Sequence, residues 1–282
     1  MNHPIPNPLT RRDFVRLGAA IAGGALALPR LAAAAGAKIP IGLQLYSVRH
    51  QCEKDLPAVI KAVAEMGYRG VEFAGYYKRT AAELRKLLDD HGIVCCGTHT
   101  PRPSINPDQL EATIEFNKTL GNKYLVVPSI KCKTKAEWLE QAKYFNEVAE
   151  KVRPHGMLVG YHAHGHDFEP MEGEVPWHLF FGNTKKEVIM QLDTGNCMGG
   201  GADPVEVLKK YPGRAVTIHL KEHGGPPEAV IGGGDVKWQD VFAFCEKDGG
   251  TQWYIVEHER KRPDPLAEVK RCLEALKGMG KC

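Results

Sequence analysis

Residues 158–164 read LVGYHAH, residues 188–195 VIMQLDTG, residues 215–222 AVTIHLKE and residues 253–259 WYIVEHE. Each is a short run of strand-forming residues that stops in imidazole, carboxylate or ammonium side chains. Runs of about four to eight β-branched and aromatic residues between turn signals read as strands. Four more runs precede them, at Ile41–Ser47, Gly70–Ala74, Ile93–Thr100 and Tyr124–Ser129. Amphipathic segments lie between, near Asp55–Met66, Thr80–His91, Pro107–Leu120, Lys135–Arg153, Pro204–Tyr211, Trp238–Lys247 and Pro265–Lys277, with room for a short helix at Pro176–Phe181. Asp55 before Pro57 and Asp203 before Pro204 are helix starts, and Gly67, Gly92, Gly121 and Gly156 stand where helices should stop. Eight strand–helix repeats are the count that closes a (β/α)8 TIM barrel. A doubly wound open sheet lacks support, because no strand is followed by G-x-G-x-x-G and polar residues recur at every strand end.

The first residues are of another kind. Thr10-Arg11-Arg12-Asp13-Phe14-Val15-Arg16 precedes an apolar stretch, Leu17–Leu28, and an alanine-rich tail. Basic, apolar and small-residue regions in that order describe a cleavable export signal, and the arginine pair resembles the twin-arginine address. Ala35-Gly36-Ala37 fits a cleavage site. The expected organisation is a signal over 1–37 and one barrel over 38–282, periplasmic or extracellular and free of the membrane once cleaved. Without the signal the chain holds 33 basic and 33 acidic residues. Formal neutrality gives no reason to expect nucleic acid. The eight cysteines form no C-x-x-C pair, and Cys95 and Cys96 sit in an apolar run, as small hydrophobes would.

Alternation along a strand sends every second side chain to one face. If His162, Asp193, His219 and Glu257 all point inward, they converge from four consecutive strands. Two imidazoles and two carboxylates suit one divalent ion of the Mn²⁺, Zn²⁺ or Co²⁺ type; Ca²⁺ and Mg²⁺, which prefer all-oxygen shells, fit less well. Gln44 and Tyr46 end strand one, Glu72 lies on strand two, His99 on strand three, His164 two residues after His162, and Lys221 two after His219.

Ile41–Arg49 (IGLQLYSVR), Gly67–Gly75 (GYRGVEFAG), Tyr161–Glu169 (YHAHGHDFE), Gln191–Asn196 (QLDTGN), His219–Glu222 (HLKE) and Tyr254–Glu257 (YIVE) resemble the xylose isomerase-like barrel superfamily, in order and over nearly all of the mature chain. The nearest branch is that of the sugar phosphate isomerase/epimerase-like proteins. The resemblance implies four metal ligands from strands five to eight, usually Glu, Asp, His and Glu. Asp193, His219 and Glu257 match the last three, and His162 stands where the first glutamate belongs. It also implies a contact of His99 with metal or substrate. Asn196 stands where the related DNA-repair endonucleases have histidine, which argues against phosphoester hydrolysis.

The sugar epimerases of the superfamily use two metal-bound glutamates to remove and return a proton. With one replaced, a proton next to a carbonyl would pass to Glu257, Glu72, His99, His164 or a Lys221 whose pKa is lowered by nearby cations. Gln44, Tyr46, His99 and His164 are the candidate substrate contacts, and for Lys221 a contact to a substrate oxygen is as open as the role of base. The expected activity is isomerisation or epimerisation of a small carbohydrate through an enediolate. The alternatives are a lyase or hydratase acting on a keto-sugar or keto-glycoside, and a non-catalytic sugar-binding barrel that keeps a metal. Arg49, Arg102, Lys131 and Arg260 leave phosphate recognition open, Ile231–Asp235 (IGGGD) leaves loop closure over a ligand open, and the sequence leaves self-association open.

Overall fold

The computed structural model describes residues 38–260 and 263–282, so the segment read from sequence as an export signal, 1–37, lies outside the described residues. Eight strands run parallel: β1 (Ile41–Gln44), β2 (Gly70–Phe73), β3 (Val94–His99), β4 (Tyr124–Val127), β5 (Leu158–His162), β6 (Ile189–Gln191), β7 (Thr217–Leu220) and β8 (Trp253–Val256). Their order is β6-β5-β4-β3-β2-β1-β8-β7. The gap between β6 and β7 is closed by single backbone bonds: Met190 N–H donates to Arg214 O and His219 N–H to Leu192 O, both at 2.9 Å. The result is a (β/α)8 barrel.

Helices wrap the outside: α1 (Arg49–Met66), α2 (Ala81–Asp90), α3 (Leu110–Leu120), α4 (Lys135–Val152), α5 (Pro176–Gly182), α6 (Thr194–Gly199), α7 (Pro204–Lys210), α8 (Trp238–Lys247) and α9 (Pro265–Gly278). Helix α1 buries Cys52, Leu56, Val59, Ile60 and Val63, a three-and-four spacing that turns one stripe to the strands. Behind β5, Trp138, Tyr161, Trp177 and Phe180 are fully buried and pack with ring centroids 5.3–6.2 Å apart. Each such aromatic contributes about 1.5–3 kcal/mol on removal from water, so this corner is a firm base for the loop that follows β5.

The starts and stops follow the sequence. Thr80 and Glu83 form a reciprocal capping box at the start of α2. Gly67 and Gly121 end α1 and α3 with φ of 105° and 83°, a conformation that a Cβ would strain. Asp55 does cap the chain beyond it, Oδ1 accepting from Ala58 N–H at 3.0 Å, but a further turn precedes it, and α1 bends at Asp55, where φ is −154°.

Two expectations are corrected. The first strand stops at Gln44 and turns into a 3₁₀ segment, Leu45–Val48. The sixth stops at Gln191, and α6 begins at Thr194 where strand was expected to reach Gly195. In both places a side-chain oxygen breaks the strand by accepting a nearby backbone N–H: Gln44 Oε1 from Tyr46 and Asp193 Oδ1 from Asn196. All eight cysteines are free thiols, and Cys95 and Cys96 are buried. No helix among the described residues is long and apolar enough to cross a membrane.

Candidate active site

Strand ends β5 to β8 bring His162, Asp193, His219 and Glu257 together. One nitrogen or oxygen from each lies within 4.8 Å of the others, and all four side chains are buried. His219 Nδ1 is 2.7 Å from Glu257 Oε2 and 3.8 Å from Asp193 Oδ2, and His162 Nε2 is 3.9 Å from Glu257 Oε2. These spacings bracket the roughly 3.3–3.6 Å between donors around a tetrahedral ion with bonds of about 2.0–2.2 Å.

One atom tests whether a metal fits. Asp193 Oδ1 accepts Asn196 N–H at 2.6 Å, but Oδ2 is buried with no hydrogen-bond partner. A buried carboxylate oxygen left unpaired is costly. Burial, opposed by Lys221 and reinforced by Glu257, pushes the Asp193 pKa up to about 7. A divalent cation in the cluster would remove that cost. The residues present therefore fit one, and the mixed nitrogen–oxygen donors suit Zn²⁺, Co²⁺ or Mn²⁺.

His219 carries the opposite signature. Burial works against the charged ring, but Glu72 and Glu257 overcome it and push the pKa up to about 10. His162, with burial and two neighbouring imidazoles acting together, is pushed well down and stays neutral, as a metal ligand must be.

Beneath this ring lies a second tier, deeper in the barrel. Glu72 is completely buried; its Oε2 accepts from Gln44 Nε2 at 2.7 Å and lies 2.6 Å from His219 Nε2 and 3.3 Å from His99 Nε2. Its Oε1 accepts from Gln191 Nε2 at 2.8 Å. Gly97 leaves the carboxylate its space, since a Cβ there would come within 2.3 Å of Glu72 Oε1. Two expectations change here. Glu72 has no exposed atom with which to take a proton from substrate, and Gln44 is spent on Glu72 and on the Tyr46 N–H.

At the mouth of the barrel, His164 is half-buried and its Nδ1 has no partner. Burial, with His166 beside it, holds its pKa down to about 4. Asp167 shapes the loop after β5, as its carboxylate accepts from His164 N–H and Tyr161 Oη, at 2.7 and 2.8 Å. His99 stacks on His219 with ring centroids 5.4 Å apart. Lys221 does not face the cations expected of it. Burial lowers its pKa, but Asp193, Glu257 and Glu259 outweigh this and the net shift is upward, so it is a held ammonium rather than a base. Its Nζ pairs with Glu259. Tyr46 stands apart, 42% exposed, with the Arg49 guanidinium 4.2 Å over its ring.

Sequence reading missed two residues. Gln191 joins the tiers: its Oε1 lies 3.1 Å from His162 Nδ1 and 3.2 Å from His99 Nε2. It sits two residues before Asp193, on the same face, and that spacing was its signal. Glu222 holds the loop that contains the three glycines, accepting from the N–H groups of His223, Gly232 and Val236 and from Trp238 Nε1. The loop is pinned, and Arg260 adds bonds to the carbonyls of Gly224 and Pro226. Arg102 is likewise engaged, by Gln141, Asn106 and the Tyr144 ring.

The profile of the xylose isomerase-like TIM barrel family matches residues 60–279. The chain belongs to that family. Among curated relatives, an inosose dehydratase of Klebsiella pneumoniae is 24% identical over 253 residues, covering 74% of this chain and 84% of its own. An inosose dehydratase of Clostridium tetani is 26% identical over 257 residues, covering 76% and 86%. Among solved structures, a sugar phosphate isomerase/epimerase of Parabacteroides distasonis superposes with a TM-score of 0.73 at 26% identity, over 86% of this chain and 98% of that one. The family thus covers enzymes named for dehydration and enzymes named for isomerisation of small sugars.

Proposed function

We propose that the protein is a divalent-metal-dependent lyase that removes the proton next to the carbonyl of a keto-sugar or ketocyclitol and expels the oxygen substituent β to it. The observation that carries this reading is the composition of the ligand ring, which holds a single glutamate, Glu257, with His162 in place of a second. Epimerisation needs a proton acceptor on each face of the carbon. β-Elimination needs one acceptor and one donor: the C–H proton goes to a base, a C=C bond forms, the C–O bond breaks, and the departing oxygen takes a proton.

A divalent ion held by His162, Asp193, His219 and Glu257 would polarise the substrate carbonyl. His99 and His164 supply imidazole acceptors at the mouth, alongside Glu257. Lys221, kept charged among carboxylates, is the candidate to hold the departing oxygen while it takes a proton. The names of the curated relatives favour dehydration. Isomerisation or epimerisation is the second reading, favoured by the name of the Parabacteroides neighbour. In either case the substrate is a small carbohydrate rather than nucleic acid. Export by the twin-arginine route to the periplasm or beyond remains a proposal that rests on residues 1–37.

The test is NMR in D₂O with protein reloaded with Zn²⁺, Mn²⁺ or Co²⁺ and given an inosose and a keto-glucoside. A lyase produces vinylic signals and a product lighter by water or by the aglycone. An epimerase returns an isomer of the substrate, heavier only by the deuterium it takes up at the carbon next to the carbonyl. Neither product nor deuterium exchange with any of the three metals would sink both readings.

A further inference from the structure

We infer that Glu72 is a positioning residue that dictates which ring nitrogen each of three histidines turns away from it and toward a bound ligand, acting directly on His219 and His99 and through Gln191 on His162. The inference rests on the metal-site reading above and goes beyond it, since it concerns how two imidazoles are made into ligands.

The argument is one of donors and acceptors. An ionised carboxylate only accepts hydrogen bonds. Glu72 Oε1 lies 2.8 Å from the Gln191 amide, so it is the NH₂ end of that amide that faces Glu72, and a second bond from the same nitrogen reaches Thr217 Oγ1 at 3.0 Å. Both amide protons are then spoken for, and Gln191 Oε1 is the end that meets the imidazoles. A carbonyl oxygen cannot donate. His162 Nδ1 and His99 Nε2 must therefore carry the protons, which leaves His162 Nε2 with its lone pair. That nitrogen is the one 3.9 Å from Glu257 Oε2, inside the ligand ring.

Glu72 Oε2 makes the same demand of His219. At 2.6 Å from Nε2 it requires a proton there, so the nitrogen able to shed its proton for a metal is Nδ1, the one that faces Glu257 and Asp193. One buried carboxylate thus imposes opposite tautomers on the two ligands: Nε2–H on His219 and Nδ1–H on His162. His99 is held through Nε2 as well, by Glu72 and Gln191. Carboxylates and amides that hold the far nitrogen of a ligating histidine typically change metal affinity by about 10–100-fold when removed. Tautomers here follow from the hydrogen-bond network, and they can be read directly.

The experiment is long-range ¹⁵N–¹H NMR on histidine-labelled protein, with and without Zn²⁺, together with Zn²⁺ titration. The wild-type holoprotein should show His219 as Nε2–H with zinc on Nδ1, and His162 as Nδ1–H with zinc on Nε2. Glu72→Gln should lower Zn²⁺ affinity about 10–100-fold and disturb both patterns. Gln191→Leu should disturb His162 and His99 but leave His219 as it was, a separation that a merely structural role would not produce. Zinc on Nε2 of His219, or a folded Glu72→Gln with wild-type affinity and tautomers, overturns the inference. If Glu72→Gln does not fold, the wild-type spectrum and Gln191→Leu decide it. If none of Zn²⁺, Mn²⁺ and Co²⁺ binds the wild-type protein, the proposed function falls. The metal-free spectrum still judges Glu72, because His162 must remain Nδ1–H.

Discussion

Asp193 and Asp203 perform the same local task ten residues apart. Each caps a short helix, Asp193 at α6 and Asp203 at α7, with Oδ1 accepting a backbone N–H at 2.6 and 2.8 Å. The difference is in the second oxygen. Asp203 Oδ2 meets Lys237 Nζ at 3.0 Å, where both side chains are solvated, and that bond holds its carboxyl below the usual range. Asp193 Oδ2 is dry and unpaired, and its pKa rises instead to about 7. A capped helix explains one oxygen of each residue. The other oxygen of Asp193 has no hydrogen-bond partner, and a bound cation would give it a partner.

The most severe way to break this comparison is to neutralise Asp193 while keeping its cap. Asp193→Asn retains an oxygen for the Asn196 N–H but no longer offers a carboxylate. Zn²⁺ affinity should fall by more than about 100-fold, beyond the loss typical of residues one layer further out. Because a buried, unpaired carboxylate is removed, the metal-free variant should at the same time be more stable at about pH 8, by on the order of 1–3 kcal/mol. Calorimetry and denaturant titration of the same sample check both. A variant that keeps wild-type affinity would remove Asp193 from the site.

Two glutamates sharpen the contrast at somewhat smaller cost. Glu222 and Glu257 lie at the ends of neighbouring strands and both are buried. Glu222 is surrounded by four N–H donors, whereas among hydrogen-bond donors Glu257 is met by His219 at 2.7 Å. Glu222→Ala orphans those donors and should destabilise the fold by about 3–5 kcal/mol. It should leave Zn²⁺ affinity within a few-fold. A large affinity loss without destabilisation would mean that the pinned loop belongs to the site.

This contrast marks what could be read without coordinates. Strand ends that break from apolar into ligand-type residues locate the barrel and its four convergent side chains, because period-two alternation at the end of a parallel strand fixes direction. Thr80, Asp203 and the glycines locate helix ends by local chemistry alone. Whether a buried polar group is satisfied depends on partners far away in sequence, so the roles of Glu72, Gln44 and Glu222 were not legible. Glu72 reaches Gln191 across 119 positions and His219 across 147. The base reading of Lys221 fails for the same reason: the carboxylates around it come from the ends of two other strands, Asp193 after β6 and Glu257 and Glu259 after β8.

The pH dependence of metal binding probes the same oxygens without mutation. A ligand must give up its proton to bind, so affinity rises about tenfold per pH unit for each proton released. In the metal-free protein His219 holds a proton up to about pH 10 and Asp193 up to about pH 7. The slope of log affinity against pH should therefore be about one between pH 7 and 10 and about two just below pH 7. The stability signs are opposite to each other. The raised His219 pKa stabilises the metal-free fold fully below about pH 6.5, and this is lost as pH rises through about 10. The raised Asp193 pKa penalises it as pH climbs from about 4 to about 7. A slope that stays at one below pH 7 would mean that Asp193 is already ionised there, and that its second oxygen has found a partner.

The mildest prediction isolates the cap itself. Asp203→Ala removes an N-cap oxygen and a solvated ion pair from α7 and should cost about 1 kcal/mol, most of it from the cap. Asp203→Asn keeps the cap and loses only the charge, so it should cost about 0.5 kcal/mol or less. Neither should alter Zn²⁺ affinity, since Lys237 already satisfies the oxygen that Asp203 does not use for the helix. Set beside Asp193→Asn, the Asp203→Asn variant makes the same chemical change at the same position of a helix. If both behave alike in chemical denaturation and in metal binding, burial of the second oxygen is not what distinguishes the two aspartates. If Asp193→Asn stabilises the metal-free protein while Asp203→Asn does not, the unpaired oxygen is a stability cost that the fold carries so that a metal can bind.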